Sequence, residues 1–503
     1  MGGHSRGDRA LRQLRIALGS RYGVRMRRGV FSMVGWLFAV EFVSGVIQGY
    51  YTPNFPDLVP YLGLAKDADT NWFEGAQLLL SAIAVPVFAK LGDRYGHKRM
   101  LLITTALTAA AGWWLAFTHD FTSFLVAWAL MGFYVAWLPL EVALIFDRGR
   151  RSEAAVSTTR RAAGLLVVAL EAGAIIGAVT GPQVLEGAGS IPVMLAVPAI
   201  CTTLVFVAIL LGVRESEPTA GRRLDTLGLV LITLVLLLVT GALAFLRMSG
   251  PGAWWVWLVL AAGLLLLVPF AIWERRRADP AIDLRVLGRP TMWPIQLTSG
   301  LFGICVLGAQ LPLINYVATE PATYGFGLGL HGFSRSLIIG IYLIAMIVGA
   351  ILLPSLSRWT TPRVALIIAA FLVAAGYLLL LPLHSAFAEV TVDMIIAGLG
   401  SGALVAALPA SAAAAAPRGQ TGVATGLTNM TKTIGGAIAS AAFALVLFHG
   451  GAETEGTASS LGAYLVVWSI CGGAALVSAL LLFVVPKAAF SDRPAEEAVA
   501  ALD

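Results

Sequence analysis

Four glutamates stand where a charge is expensive. Glu41, Glu74, Glu141 and Glu171 each fall inside a run of apolar residues. An ionisable group in hydrocarbon costs several kcal/mol unless it is paired or hydrated, so it marks function by default. Glu41 and Glu171 lie near the middle of their runs, Glu141 in the inner half of its run after Pro139, and Glu74 near an outer end. A carboxyl so placed can exchange a proton, or hold a cationic substrate in the proton's stead. Paired with a nearby Arg or hydroxyl, the same group is purely structural, and both roles are open for each. Gln48, Tyr50 and Tyr51 extend outward from Glu41, and Gln310, Asn315 and Tyr316 occupy the corresponding stretch of a later run. We expect Gln48, Gln310 and Asn315 to orient a ligand in a pore, and the tyrosines of the first stretch to lie in an interfacial belt. Trp113, Trp114, Trp128 and Trp137 offer aromatic faces to a hydrophobic cation. Packing against lipid or core is the role expected of most of them.

Other chemistries find no residues. There is no His-Glu-x-x-His, no Gly-x-Ser-x-Gly and no cluster of Cys or His, so an intramembrane enzyme is not expected. The absence of any Gly-Lys dipeptide excludes a P-loop, which leaves an ion gradient rather than ATP as the energy source. Cys201, Cys305 and Cys471 sit in apolar runs too far apart for metal spacing, and are expected to be packing residues. Neither a metal nor a cofactor is expected.

The elements that position these residues are membrane spans. Apolar residues make up 58% of the 503 and charged ones only 12%, with a mean hydropathy of +0.83. The apolar runs cover 30–51, 72–91, 100–118, 121–146, 162–184, 191–213, 226–247, 253–273, 291–317, 334–356, 363–383, 388–415, 421–448 and 461–485. Each is long enough to cross roughly 30 Å of hydrocarbon as a helix, and helix alone satisfies the backbone there. Alternate loops are rich in Arg and Lys: Arg94, Lys98 and Arg99; Arg148, Arg150 and Arg151; Arg214, Arg222 and Arg223; Arg275 to Arg277; Arg358 and Arg363; Arg418. The opposite loops carry little beyond Lys66, Arg247 and Arg335. The positive-inside rule then places both ends in the cytoplasm, with fourteen spans.

Runs 226–247 and 253–273 are nearly uniform Leu and Val, so they line no pore and are expected to face lipid or link two halves. They separate six spans from six, a 6+2+6 plan with the internal repeat of a transporter. The expected units are a basic arm 1–29, a six-helix bundle 30–213, two extra helices with linkers 214–290, a second bundle 291–485 and a tail 486–503. The net charge of +6 owes much to eight arginines of the arm, Arg6 to Arg28, so the partner expected of it is anionic lipid and not nucleic acid. The arm is too long, and lacks the small-residue cleavage site, for a removable signal.

Two local patterns sharpen this reading. The loop after the second run is Ala89-Lys90-Leu91-Gly92-Asp93-Arg94-Tyr95-Gly96-His97-Lys98-Arg99. Asp93 beside Arg94 can pair with helix ends, Gly96 permits a tight turn and Lys98 adds charge, as a cytoplasmic gate requires. The fifth run carries Gly173, Gly177 and Gly181 on one helix face, ended by Pro182. With these residues the chain resembles the fourteen-helix drug:proton antiporter branch of the major facilitator superfamily. The loop is similar to the superfamily's G-x-L-x-D-R-x-G-x-K signature, with Ala89 for the first Gly, and the glycine stripe resembles its G-x-x-x-G-P antiporter motif. Thr425 to Gly436, with Lys432, looks like its R-Q-x-G-G stretch, and Arg222 to Gly228 like its entry to the first extra helix. Glu41 lies close to where the family has an acidic residue. One departure bears on mechanism: the family's Arg four residues before Gly132 is Trp128 here, so coupling through that Arg is not expected.

The resemblance implies an all-α major facilitator fold in the cell membrane, built as a monomer. It implies a secondary transporter that exports small amphipathic or cationic compounds against protons by alternating access. The proton and substrate groups are expected among Glu41, Glu171, Glu141, Gln48, Gln310 and Asn315. A proton symporter importing a small metabolite is the alternative, and the glycine stripe and the extra helices speak against it.

Overall fold

In a computed structural model the chain is described over residues 34–149, 155–215, 225–277, 280, 282–415, 421–449 and 458–485. The arm, the tail, Arg150, Arg151, Arg222, Arg223 and Arg418 lie outside the described residues, and Asp93 and Arg148 are described by backbone alone. All the long elements are helices, as an apolar medium demands of a backbone with no water to bond. They are α1 (34–50), α2 (Thr70–Tyr95), α3 (His97–Ala116), α4 (Phe121–Ile145), α5 (Ala155–Ala188), α6 (Ile191–Gly212) and α7 (Thr226–Ser249). Then follow α8 (Trp254–Arg276), α9 (Trp293–Ala318), α10 (Gly332–Trp359), α11 (Pro362–Leu379), α12 (Phe387–Ala415), α13 (Thr421–His449) and α14 (Leu461–Val484). Among the described residues thirteen helices, α2 to α14, are long and apolar enough to cross a membrane, and α1 starts at the edge of what is described.

Two helices change winding where proline removes a donor. In α4, Gly132–Ala136 tightens to a 3-10 turn ahead of Pro139, whose ring nitrogen cannot bond the Val135 carbonyl. There Ser81 of α2 donates to the Gly132 carbonyl at 2.9 Å. In α9, Ile304–Gly308 widens to a π turn ahead of Pro312.

Helices α1 to α6 close on a core that includes Phe55, Phe73, Phe124, Trp128 and Trp137. Helices α9 to α14 close on a second, with Phe302, Tyr316, Tyr377, Phe443 and Trp468. Helix α7 packs on α2 and α13, where Ile232, Val235 and Leu236 meet Ala82 of the first half and Leu427 and Met430 of the second. Helix α8 packs on α7 and turns Trp254, Leu258, Leu265 and Val268 outward, the lipid-facing surface its composition implied.

Tyr50 and Tyr51 correct an expectation. Both are buried, with Tyr51 donating to the Leu195 carbonyl at 3.3 Å and stacking edge-on against Trp128 at 5.1 Å. The chain tightens to a 3-10 turn at Thr52–Asn54 just after the pair, which fills core instead of a belt. Trp128 is the hub of that cluster, also meeting Phe55 at 5.0 Å and Phe124 at 5.9 Å. Trp137 is buried as well, while Trp113 and Trp114 face outward and bond Thr203 and Ser123.

Candidate functional site

The site is held by two helix crossings at backbone contact. In the first half α1 crosses α5, and a Cβ added at Gly45, Gly49, Gly173 or Gly181 would strike the carbonyl oxygen of Leu170, Ala174, Phe42 or Tyr50 respectively. At Gly177 it would stand 2.6 Å from the Val46 carbonyl. Small residues on both helices allow this approach, so the Gly173 stripe is at the least a packing surface. Its partner stripe, Gly45 and Gly49, has the same four-residue spacing in the sequence. The second half repeats the arrangement where α9 crosses α13: Gly303 rests on the Lys432 carbonyl, and Gly435 on that of Gly300.

Between the crossings lies a central cavity with a water-accessible volume of about 110 Å³. Gln48, Thr52, Glu171 and Ala174 line it from the first half. Gln310, Tyr342, Met346, Tyr377, Met394 and Lys432 are among those lining it from the second. The π turn of α9 contributes Val306 and Leu307 to the wall, and Gln310 donates back to the Val306 carbonyl at 3.0 Å. Glu171 and Lys432 are both half-buried, come from opposite halves and act on each other's charge. Neither forms an ion pair within 4 Å with a described residue. Of the six residues expected to form the cavity, Glu171, Gln48 and Gln310 do so.

Glu41 and Glu141 do not line this cavity. They stand on α1 and α4 inside the first half, each almost wholly buried, with Glu41 close enough to act on the charge of Glu141. Neither carboxyl has a hydrogen-bond partner in good geometry among the described residues, although the Ser44 hydroxyl is near enough to act on Glu41. The buried Tyr134 stands within electrostatic reach of Glu41 and of Glu74. Burying a carboxylate without a partner is costly.

Below them lies the loop between α2 and α3. Gly96 adopts φ +104, which a residue with a Cβ rarely takes, and the added atom would come 2.5 Å from the Glu215 carboxyl carbon. Glu215, just past α6, accepts from the backbone N–H of Lys98 at 2.8 Å and of Arg99 at 3.1 Å, capping the start of α3 with a negative charge. Lys98 reaches the Leu210 carbonyl at 3.0 Å, and the Arg94 guanidinium lies 5.2 Å over the ring of Tyr95. Lys90 bonds the carbonyl of Pro280, tying α2 to the linker after α8. No spacing rule points to Glu215 from the sequence, because its partner is more than a hundred residues away.

Comparison with known families adds the decisive observation: the profile of the Major Facilitator Superfamily matches residues 37–440. The chain belongs to the Major Facilitator Superfamily. This facilitator is therefore a multi-pass cell-membrane transporter of small molecules, in a family of transporters and not of enzymes. It is similar to the cephamycin export protein CmcT of Amycolatopsis lactamdurans, 27% identical over 441 residues that cover 85% of each chain. It is also similar to the drug efflux pump JefA of Mycobacterium tuberculosis, 25% identical over 386 residues, 73% of this chain and 70% of that one. Among solved structures, an auto-inhibited POT family peptide transporter aligns with a TM-score of 0.65 at 15% identity, covering 91% of this chain and 96% of that one. The human organic anion transporter MFSD10 aligns at 0.58 and 16%, covering 91% and 99%. At such identities the two structures show the shared fold alone.

At the end of the bundle opposite the α2–α3 loop, the outer end in the expected topology, the facilitator's halves are bonded together. Arg335 at the start of α10 pairs with Asp57 on a short helix, Phe55–Tyr61, that follows α1. Asp67 accepts from Ser459 and Tyr464, both at 2.6 Å. Asn315 donates to the Asp67 carbonyl at 3.1 Å and to Thr70 at 3.0 Å. Asn315 is thus a seam residue instead of a pore residue: α9 carries it one to two turns beyond Gln310, past the mouth of the cavity.

Proposed function

We propose that the protein exports small amphipathic compounds in exchange for protons, by alternating access around the central cavity. The observation that carries this reading is a cavity walled by both halves, with one carboxyl, one ammonium and two carboxamides among the described residues of an otherwise largely apolar lining, in halves that also bond to each other at the outer seam. Relatives named as exporters support the direction. In this reading Glu41 and Glu141 hold the transported proton, Glu171 and Lys432 meet the substrate, and Gln48 and Gln310 orient it. The loop of Asp93, Arg94, Gly96 and Lys98 closes the inner side, locked through Glu215. The Gly173, Gly177, Gly181 and Pro182 face is the bearing on which α5 moves against α1. The chain acts as a monomer, with both ends cytoplasmic and a bundle 30–213 joined to a bundle 291–485 through the helices of 214–290.

Everted membrane vesicles test the reading. Imposing an inward-acid gradient on vesicles that hold the protein is expected to drive uptake of amphipathic dyes or antibiotics, and a collapsed gradient to abolish it. Absence of gradient-driven uptake across such a panel would refute export. Reporters fused after residues 218 and 280 are expected inside, and one after 250 outside; if those after 218 and 280 fall on opposite sides, the two extra helices are not a transmembrane pair.

A further inference from the structure

The cavity's charges say more about its cargo than its size does. Glu171 and Lys432 stand on α5 and α13, helices in matching positions of the two halves. Both sit at a crossing: Glu171 follows Leu170, whose carbonyl rests on Gly45, and the carbonyl of Lys432 itself rests on Gly303. Their backbones are therefore fixed, and the two charges look into one cavity without closing to an ion pair. The rest of the lining is neutral, with Gln48 and Gln310 as its amides and Leu170, Leu313, Ile339 and Met346 among its apolar walls.

Consider three ligands of one shape. A cation gains at Glu171 and is repelled at Lys432, and an anion meets the reverse. Either leaves one wall charge desolvated and unmatched, which is the costly outcome in a cavity. A molecule with both charges satisfies both walls at once. We infer that this cavity is a zwitterion site, in which a cationic group goes to Glu171, an anionic group to Lys432 and an apolar body lies between the halves. The inference rests on the transport reading above and narrows its substrate class from amphipathic or cationic to doubly charged. Because the two charges belong to different halves, the occupant bridges them, and its length is selected by their fixed spacing.

The experiment uses purified full-length protein and three aromatic scaffolds: phenylalanine, naphthylalanine and the dipeptide of two phenylalanines. Each is offered as the free zwitterion, as its methyl ester (a cation) and as its N-acetyl derivative (an anion). Calorimetry gives Kd, and thermal unfolding reports the state of the fold. At least one scaffold is expected to bind as the zwitterion about tenfold more tightly than as either derivative, the size of one charge-assisted contact. Lys432→Gln should bring the ester level with the zwitterion, Glu171→Gln should do so for the N-acetyl form, and the double variant should bind all three alike. The inference is overturned if no zwitterion binds, or if the ester binds as well as the zwitterion and ignores Lys432→Gln. It is also overturned if each single variant lowers Tm, the double restores it and the preference never moves, for the pair is then only structural. Binding with the expected preference but without gradient-driven flux in vesicles would sink the export reading and leave the zwitterion site standing.

Discussion

The crossings of α1 with α5 and of α9 with α13 solve one packing problem with different chemistry beside it. In each, glycine lets one backbone lie against another, at Gly45, Gly49, Gly173, Gly177 and Gly181 in the first half and at Gly303 and Gly435 in the second. Yet the first half surrounds its crossing with acids, Glu171 toward the cavity and Glu41 with Glu141 behind it, while the second presents a base, Lys432. An internal repeat therefore preserves the geometry of movement and leaves each half free to specialise in charge. In the proposed reading, proton handling and cation recognition fall to one half, and anion recognition to the other.

The largest expected effect tests the geometry. Gly173→Ala and Gly435→Ala each place a methyl on a backbone carbonyl, which cannot move as a side-chain tip can. Overpacking of this kind costs about 1–3 kcal/mol or more, so both variants should lose most of their monodisperse yield and several degrees of Tm. Gly340→Ala, with nothing within 4 Å of the added Cβ, should be neutral or slightly stabilising. If Gly173→Ala is harmless and Gly435→Ala is not, the two crossings are not equivalent.

Next comes the charge asymmetry. Glu41→Gln or Glu141→Gln keeps the shape and removes the exchangeable proton, and is expected to lower gradient-driven efflux by at least about tenfold. Its pH dependence should flatten while yield and Tm hold. Asp393→Asn, at a buried carboxyl of the second half, should leave more of the efflux. Equal losses in the two halves would mean that proton handling is not confined to the first.

A smaller effect is expected at the inner loop. Glu215→Gln weakens a charged cap to a neutral one, worth about 1 kcal/mol, and should slow transport severalfold with little change in expression. Asp93→Asn should lower transport far more than expression. Unchanged transport in both would count against a gate at this loop. The smallest effect belongs to α8, where Trp254→Ala removes a largely exposed side chain and should leave transport within about twofold of the parent, with stability changed by at most about 0.5 kcal/mol.

The sequence made legible whatever depends on one helix at a time. Spans follow from apolar length, the outward-facing side of α8 from its uniform composition, and the stripe on α5 from its spacing. What depends on two distant segments was not legible. Gly45 and Gly49 bore the same spacing as their partners, but nothing in one chain says that two stripes face each other. Tyr50 and Tyr51 carry belt chemistry and fill core just before the turn at Thr52–Asn54. Asn315 is polar in a pore-forming helix, yet only the third dimension puts Asp67 and Thr70 beside it. Glu215 looked like one more charge after a span, and it became the anchor of a loop.

In the proposed transport cycle, the outer seam also sets how easily this molecule can turn over. It is fastened in part by hydrogen bonds and an ion pair, Asp57 with Arg335 and Asp67 with Ser459 and Tyr464. Water competes for every one of those links once they part, so a neutral bond contributes only about 0.5–1.5 kcal/mol net and one to a charged group about 1.5–3 kcal/mol. Arriving solvent replaces the fastenings as they part, and departing solvent restores them. The outer door is thus a latch that bulk water can both release and reset.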